Sequence, residues 1–564
     1  MTQALSGLSF GRENHEDLSL PRPPKLELLA IGVLLVASGI LILLLGHGLN
    51  FRHDDWDIIE YRGTGGASTF LTPLNSQPSL VSVAVYRFLF ATAGLGHYFW
   101  YRLVLVVFDL ILGFFLWLLL RRRLPPVLAL SMCGTLVLCG AVYENFIFPI
   151  QIGQVGSLIG AVIAWAILDR DPGRSGPVIL GLALLFAWAC SAIGAVILAA
   201  VGIEVLLRRA WGYLVAVVVA SGCFVLWYLA YGQGSTAGAP HQLSVFLSGI
   251  IAYTVAGTFA LWPLFHLSHA GLKAGAALIL LVAIVLVVVG SRRKWFGSRP
   301  GDCAMHASIP RATGLAVAGA GYWALTSVAR ADLSPYRSRY IHPGAIVIVL
   351  LIAEFLAYRA IPRRTQLYGV FICGLVVLSG TAYLIHNANT YRQQSAILSA
   401  QLSALQLARA DAPANFEPAP AQDRQIRAAL LFRAERTFRS SPAEPVTALT
   451  RAPEPARLAA DEVLIRISLS QSVRVPCGGD ASRTAMSEGY RVPAGTDLVL
   501  INLSRPAVRV SLRRFASVPT PLPQLLDGDG RLQLLTERDR WATPWRLYFT
   551  PRTNVVACMQ GPGP

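Results

Sequence analysis

Lysine is nearly absent from this chain, and charge of either sign is scarce. Only Lys25, Lys273 and Lys294 occur, so the basic residues are almost all arginine. That bias points to a GC-rich genome and says nothing about mechanism. Asp, Glu, Lys and Arg make up 14% of the chain, against about 25% in soluble domains. The deficit is concentrated in long uncharged runs, which excludes an ordinary soluble enzyme. An apolar run of roughly 20 residues spans the hydrocarbon core of a bilayer. No cysteine or histidine spacing fits a zinc site. No repeat of about 20–50 residues is present.

What charge there is has one dominant sign, a formal +17. Nucleic acid is excluded as a partner, because the arginines lie mainly in short loops between apolar runs and in the C-terminal third. Short cytoplasmic loops of membrane proteins carry such an excess. Most of the eight cysteines lie in apolar runs, where cysteine packs as a small hydrophobe. Cys477 and Cys558 are the two in the C-terminal region. Outside the cytoplasm they make a plausible disulfide.

The runs predict an α-helical polytopic membrane protein with about eleven transmembrane helices. Residues 1–27 read as a cytosolic disordered tail. Residues 28–390 read as the transmembrane domain, with spans near 28–45, 100–120, 125–143, 153–168, 176–190, 192–207, 212–231, 271–290, 312–329, 343–359 and 367–386. The apolar stretch 244–264 is set aside as re-entrant or interfacial. Counted so, Arg121-Arg122-Arg123, Arg208-Arg209, the 292–294 cluster and Arg363-Arg364 all fall inside. The N-terminus is then cytosolic and the C-terminus lies outside. Residues 391–460 read as a helical, then Pro/Ala-rich linker. From 461 the apolar period changes to two, at 463–469, 498–503, 508–512 and 545–549. Residues 461–564 are therefore predicted to form an extracytoplasmic β-sandwich-like domain.

The densest polar cluster of the first half follows the first span: Arg52, His53, Asp54, Asp55, Trp56, Asp57 and Arg62. Three carboxylates within four residues repel one another unless they are solvated, paired with cations or bound to a metal. Arg52, His53 and Arg62 offer the pairing, and a divalent cation on Asp54, Asp55 and Asp57 is the alternative. A solvated loop is the plain structural reading. Other polar residues at the predicted outer edge are Glu144 and Gln151, where ionisable groups are costly. Arg337, Arg339, Tyr340 and His342 precede the tenth span. Arginine suits phosphate through paired hydrogen bonds, although the same residues serve as interfacial anchors. Glu204 and Arg208 are one helical turn apart and read as a pair.

Several of these stretches together resemble a family of actinobacterial membrane proteins of the GT-C glycosyltransferase class. The resemblance rests on His53-Asp-Asp-Trp56, Arg62, Phe70-Leu-x-Pro-x-Asn75, Tyr86-Arg87, Gly94-Leu and Tyr101-Arg102. Glu144-Asn145, Gln151-Ile-Gly153 and Ser338-Arg-Tyr340 extend it over roughly residues 28–390. The second motif departs from the family's Pro-His-Asn-Glu-His, reading Pro73-Leu-Asn-Ser-Gln77 here.

The resemblance implies a transferase that moves a sugar from a polyprenyl-phosphate donor to a cell-envelope glycan or lipid, on the outer face of the cytoplasmic membrane. Asp54 or Asp55 would then be the catalytic base. Arg52, His53, Trp56, Asp57, Arg62, Asn75, Gln77, Glu144 and Gln151 would bind substrate. Arg337, Arg339, Tyr340 and His342 would hold the donor phosphate. Two alternatives stand beside it: a non-catalytic glycan-binding or envelope-scaffold relative, and a transporter or flippase of lipid-linked sugars.

Overall fold

The computed structural model describes residues 23–560, apart from 170–172, 233–241, 262–301, 332, 358–359, 424, 471–482, 529, 536–542 and 552–553. The expected span at 271–290, the basic cluster at 292–294, Cys477 and most of the N-terminal tail lie outside the described residues.

The chain is mostly helical. Its helices are α1 (Lys25–Leu45), α2 (Asp54–Tyr61), α3 (Ser68–Leu71), α4 (Leu80–Thr92), α5 (Tyr98–Arg121), α6 (Pro126–Val137), α7 (Tyr143–Ile147), α8 (Ile152–Leu168) and α9 (Gly176–Cys190). Then follow α10 (Ile193–Leu207), α11 (Trp211–Tyr231), α12 (Leu243–Thr258), α13 (Asp302–Arg330), α14 (Ile341–Leu356), α15 (Arg363–Leu407), α16 (Ala428–Phe438), α17 (Val446–Leu449) and α18 (Glu454–Ser470). Among the described residues, eight helical segments are long and apolar enough to cross a membrane. In lipid the helix keeps every backbone polar group satisfied, which is why these runs fold this way. Prolines mark several starts: Pro24 precedes α1, Pro125 precedes α6 and Pro362 precedes α15. The missing N–H costs nothing there.

The two ends of the bundle differ in chemistry. At one end, Glu27 at the start of α1 meets Arg121 at the end of α5. There, too, Arg311 of α13 bridges Asp169 at 2.9 Å and Glu204 at 2.8 Å. Arg123 binds Asp169 at 2.8 Å and also Glu354 of α14. The expected Glu204–Arg208 pair is present at 2.6 Å, as one strand of this larger net. At the other end, Arg102 of α5 is buried and donates to the carbonyls of Ile42 and Leu43. It thus caps the C-terminus of α1, where a cation suits the helix dipole. Gly46 makes this possible, since a Cβ there would collide with the guanidinium. α2 lies at this second end.

α12 also stays near the second end. Gly249 lies against Pro335, and Gly257 lies against Ile341 and Ala141. The run read as one span at 125–143 is broken: α6 stops at Val137, and a 3-10 turn leads into α7 at Tyr143. α15 spans 45 residues, about 67 Å at 1.5 Å per residue. It therefore continues well beyond bilayer thickness, as the polar helix read at 391–410 requires.

Two expectations change in the C-terminal part. The segment read as a linker packs as a helical layer, with Leu398, Leu402, Leu405, Leu431 and Leu449 buried. The run 463–469, read as a strand, lies inside helix α18. Ala456, Ala459 and Ala460 favour the helix, and α18 buries two faces, one on α15 and one on the strands. Among the described residues, strands begin at Arg483.

Among the described residues the eight strands are β1 (Arg483–Ala485), β2 (Tyr490–Val492), β3 (Asp497–Asn502), β4 (Val508–Arg513), β5 (Thr520–Leu526), β6 (Arg531–Leu535), β7 (Trp545–Thr550) and β8 (Val555–Gln560). They form two antiparallel sheets, ordered β1-β8-β3-β6 and β2-β7-β4-β5. This is the strand order of a jelly roll, a more specific form of the expected sandwich. Ile465 and Ser468 of α18 close one end over Val492, Leu498, Leu512 and Trp545. Cys558 is disulfide-bonded.

Candidate functional site

The acidic segment folds as helix α2, and helical geometry separates its three aspartates by about 100° per residue. They therefore serve different surroundings. Asp55 points inward and is buried. Its carboxylate accepts from the Tyr86 hydroxyl, from Tyr98 at 3.3 Å and from the Arg52 amide at 3.0 Å. Burial pushes its pKa up to about 7, against the lowering by these donors. Asp57 faces the other way, half-buried. Burial first, then the charges of Asp54 and Glu60, raise it to about 6. Among the described residues no group of three His, Cys, Asp or Glu gathers as a metal site.

Asp54, like Asp57, is partly exposed. Its carboxylate pairs with Arg339 Nη1 at 3.3 Å, and each side chain is about a quarter exposed. Glu144 sits behind the same arginine, accepting from its backbone N–H at 3.3 Å. The Ser338 hydroxyl accepts from the Glu144 amide, and Gln154 donates to the Arg339 carbonyl at 2.7 Å. Two carboxylates and one guanidinium, drawn from three distant parts of the chain, thus share one polar spot. An aromatic wall flanks Arg52, whose guanidinium lies 5.2 Å over the Tyr391 ring. Tyr143 and Phe148 pack against Tyr391 at 5.6 and 5.0 Å. Arg52 also donates to Gln394 at 2.9 Å.

The remaining sequence candidates divide into two groups. His53 is the N-cap of α2 at φ +45°, an uncommon conformation for a residue with a side chain. Asp423 holds it there, accepting from its amide at 2.8 Å and lying 3.3 Å from Nδ1. Trp56 is buried and donates to the Phe51 carbonyl, so it packs and does not face a ligand. Arg62 and Arg87 staple the 62–73 loop through the carbonyls of Thr72, Pro73 and Gly65. Asn75 and Ser76, both at positive φ, form a two-residue hairpin closed by a bridge between Leu74 and Gln77. The Asn75 carbonyl accepts from Arg330, and the Gln77 amide oxygen accepts from Ser191.

Gln151 is buried. Arg337 is exposed. Tyr340 packs on Phe246, and His342 is buried against Phe146. Neither reaches outward as a phosphate ligand would.

Sequence reasoning missed Tyr86 and Tyr98 as partners of Asp55. It also missed Asp423, Tyr391 and Gln394, which come from the segment read as polar helix and linker. No local pattern marks them, because each acts only across the fold. The chain matches no family model, no curated protein and no solved structure.

Proposed function

We propose that this chain is a GT-C-like glycosyltransferase of the cytoplasmic membrane, working at the outer face on a polyprenyl-phosphate sugar. The observation that carries the reading is the Asp54–Arg339 contact, a base and a phosphate-binding cation side by side and partly exposed. Their end of the bundle lies opposite Arg121, Arg122 and Arg123, and the positive-inside rule assigns that arginine end to the cytoplasm.

In this reading Asp54 accepts the proton of an acceptor hydroxyl as its oxygen attacks the anomeric carbon. The bond from that carbon to the phosphate oxygen breaks, and its electron pair leaves with the polyprenyl phosphate. Arg339, with exposed Arg337, stabilises the developing phosphate charge. Tyr143 and Tyr391, both partly exposed and backed by buried Phe148, offer ring edges to sugar. The acceptor is a cell-envelope glycan or lipid. Asp55 supports α2 from beneath and takes no part in proton transfer.

A second reading, a non-catalytic glycan-binding or scaffold relative, is favoured by the closed Asn75–Ser76 hairpin where the family carries histidines and a glutamate.

The test uses the full chain in nanodiscs with radiolabelled polyprenyl-phosphate sugars and envelope extract. Transfer by the intact chain and its loss in Asp54→Asn is the expected result. Equal transfer by the variant removes the base assignment. Absence of any transfer across the donor series favours the scaffold, and movement of lipid-linked sugar between leaflets without a new linkage favours a flippase.

A further inference from the structure

The jelly roll carries a row of arginines across one sheet. In the β2-β7-β4-β5 sheet, Val508, Val510 and Leu512 of β4 point into the core, as do Trp545, Leu547 and Phe549 of β7. The alternate residues therefore face outward. Register places Arg491 of β2 opposite Arg546 of β7, and Arg546 opposite Arg513 of β4. Three guanidinium side chains thus stand in line over three adjacent strands, about 4.8 Å apart at the backbone. Next in register along β7 and β4 come Tyr548 opposite Ser511, then Thr550 opposite Arg509.

Like charges directly opposite each other in a sheet destabilise it. Neutralising carboxylates would relieve the cost, but among the described residues no ion pair involves Arg491, Arg509, Arg513 or Arg546. Arg513 instead lies 5.2 Å over the Tyr548 ring and donates to the Ser517 carbonyl. The opposite sheet has no such row: on its outer side Arg483 stands opposite Cys558 and Arg531 opposite Ile501, on separate edge strands, with Val499 and Cys558 buried between them.

We propose that this arginine face binds an acidic polysaccharide, with carboxylate or phosphate groups repeating along its chain. The inference does not rest on the transferase reading. Charge complementarity requires a polyanion, and the residues between the arginines select a glycan. Tyr548 offers a ring face, and Ser511 and Thr550 offer hydroxyls, which suits a chain of hydroxylated rings. A lipid surface would call for apolar residues able to insert, and Leu525, opposite Arg509 at the far edge, is the exposed one on these four strands.

The test measures binding of polygalacturonate to the full chain in phosphatidylcholine nanodiscs, over a salt series, with dextran as the neutral control. The intact chain is expected to bind polygalacturonate, with affinity falling as salt rises, and to ignore dextran. The triple variant R491Q/R513Q/R546Q should lose about tenfold or more in affinity and show a flatter salt dependence. Its thermal unfolding should not fall, because removing opposed like charges relieves the sheet. If the triple variant does not fold, the single edge-strand variant R491Q should still lose about threefold. Undiminished binding by whichever variant folds overturns the proposal. Equal binding of dextran does too, as does binding to phosphatidylglycerol vesicles or single-stranded DNA without binding to polygalacturonate.

Discussion

Asp54 and Arg339 stand 285 positions apart in the chain and meet at 3.3 Å. α2 supplies one and the turn before α14 supplies the other. The contact is a quarter open to solvent, so the pair itself adds little stability, about 0–1 kcal/mol. Its position is therefore better explained by what it can bind than by what it holds together.

Arg339→Gln should then abolish donor use while leaving the unfolding temperature nearly unchanged. Arg339→Lys keeps the charge but loses the planar fork, and should raise KM for the lipid donor about tenfold or more. Donor titrations in nanodiscs check both. A collapse in stability for Arg339→Gln would mark the residue as structural.

Asp55 makes stability depend on pH. Its folded pKa of about 7 lies above the ordinary value of 3.8, so the folded state holds the proton more tightly than the unfolded chain does. The contribution is fully present below about pH 4 and is lost as pH rises through 7, on the order of 4 kcal/mol at most. Thermal unfolding between pH 5 and 8 should show this fall, and Asp55→Asn should flatten it. An unchanged slope in the variant assigns the dependence elsewhere.

Arg311 bridges two carboxylates inside the bundle, Asp169 and Glu204. Arg311→Met leaves Asp169 with Arg123 and Glu204 with Arg208 but removes the buried hydrogen bonds that link them, and should cost about 1–3 kcal/mol. Reduced membrane yield and a lower unfolding temperature are the measurements. The double variant Arg311→Met with Glu204→Gln should recover part of the loss.

Asp461 of α18 is buried and accepts from three successive amides, of Arg514, Phe515 and Ala516. Asp461→Ala strands those donors, at about 1–3 kcal/mol for the first and less for any that reach water. The jelly roll should loosen from the helical layer, read as faster protease cleavage after Arg514. Cleavage at the rate of the intact chain would deny the clamp.

Ser76 sits at φ +65° in the hairpin beside Asn75. Ser76→Gly should relieve backbone strain and raise stability by up to about 1 kcal/mol. Transfer activity should not change if this segment is only a turn.

Much of the membrane part was legible because a span is a local property. Twenty apolar residues need no distant partner to become a helix in lipid, so α1, α5, α8, α9 and α11 fall where their runs fall. The strands at β3, β4 and β7 were equally legible from alternation. The 463–469 run was not, since a short apolar run fits either period. Contact with α15 on one side and the sheets on the other decided for helix.

The three aspartates mark the division most clearly. Sequence alone determined that Asp54, Asp55 and Asp57 follow the first span on one short acidic segment. Only the tertiary structure decided which of them is buried and which pairs with Arg339. A helix turns adjacent residues about 100° apart, and the aromatic residues of α4 and α5 arrive from elsewhere in the chain to bury one carboxylate while Arg339 arrives to pair its neighbour.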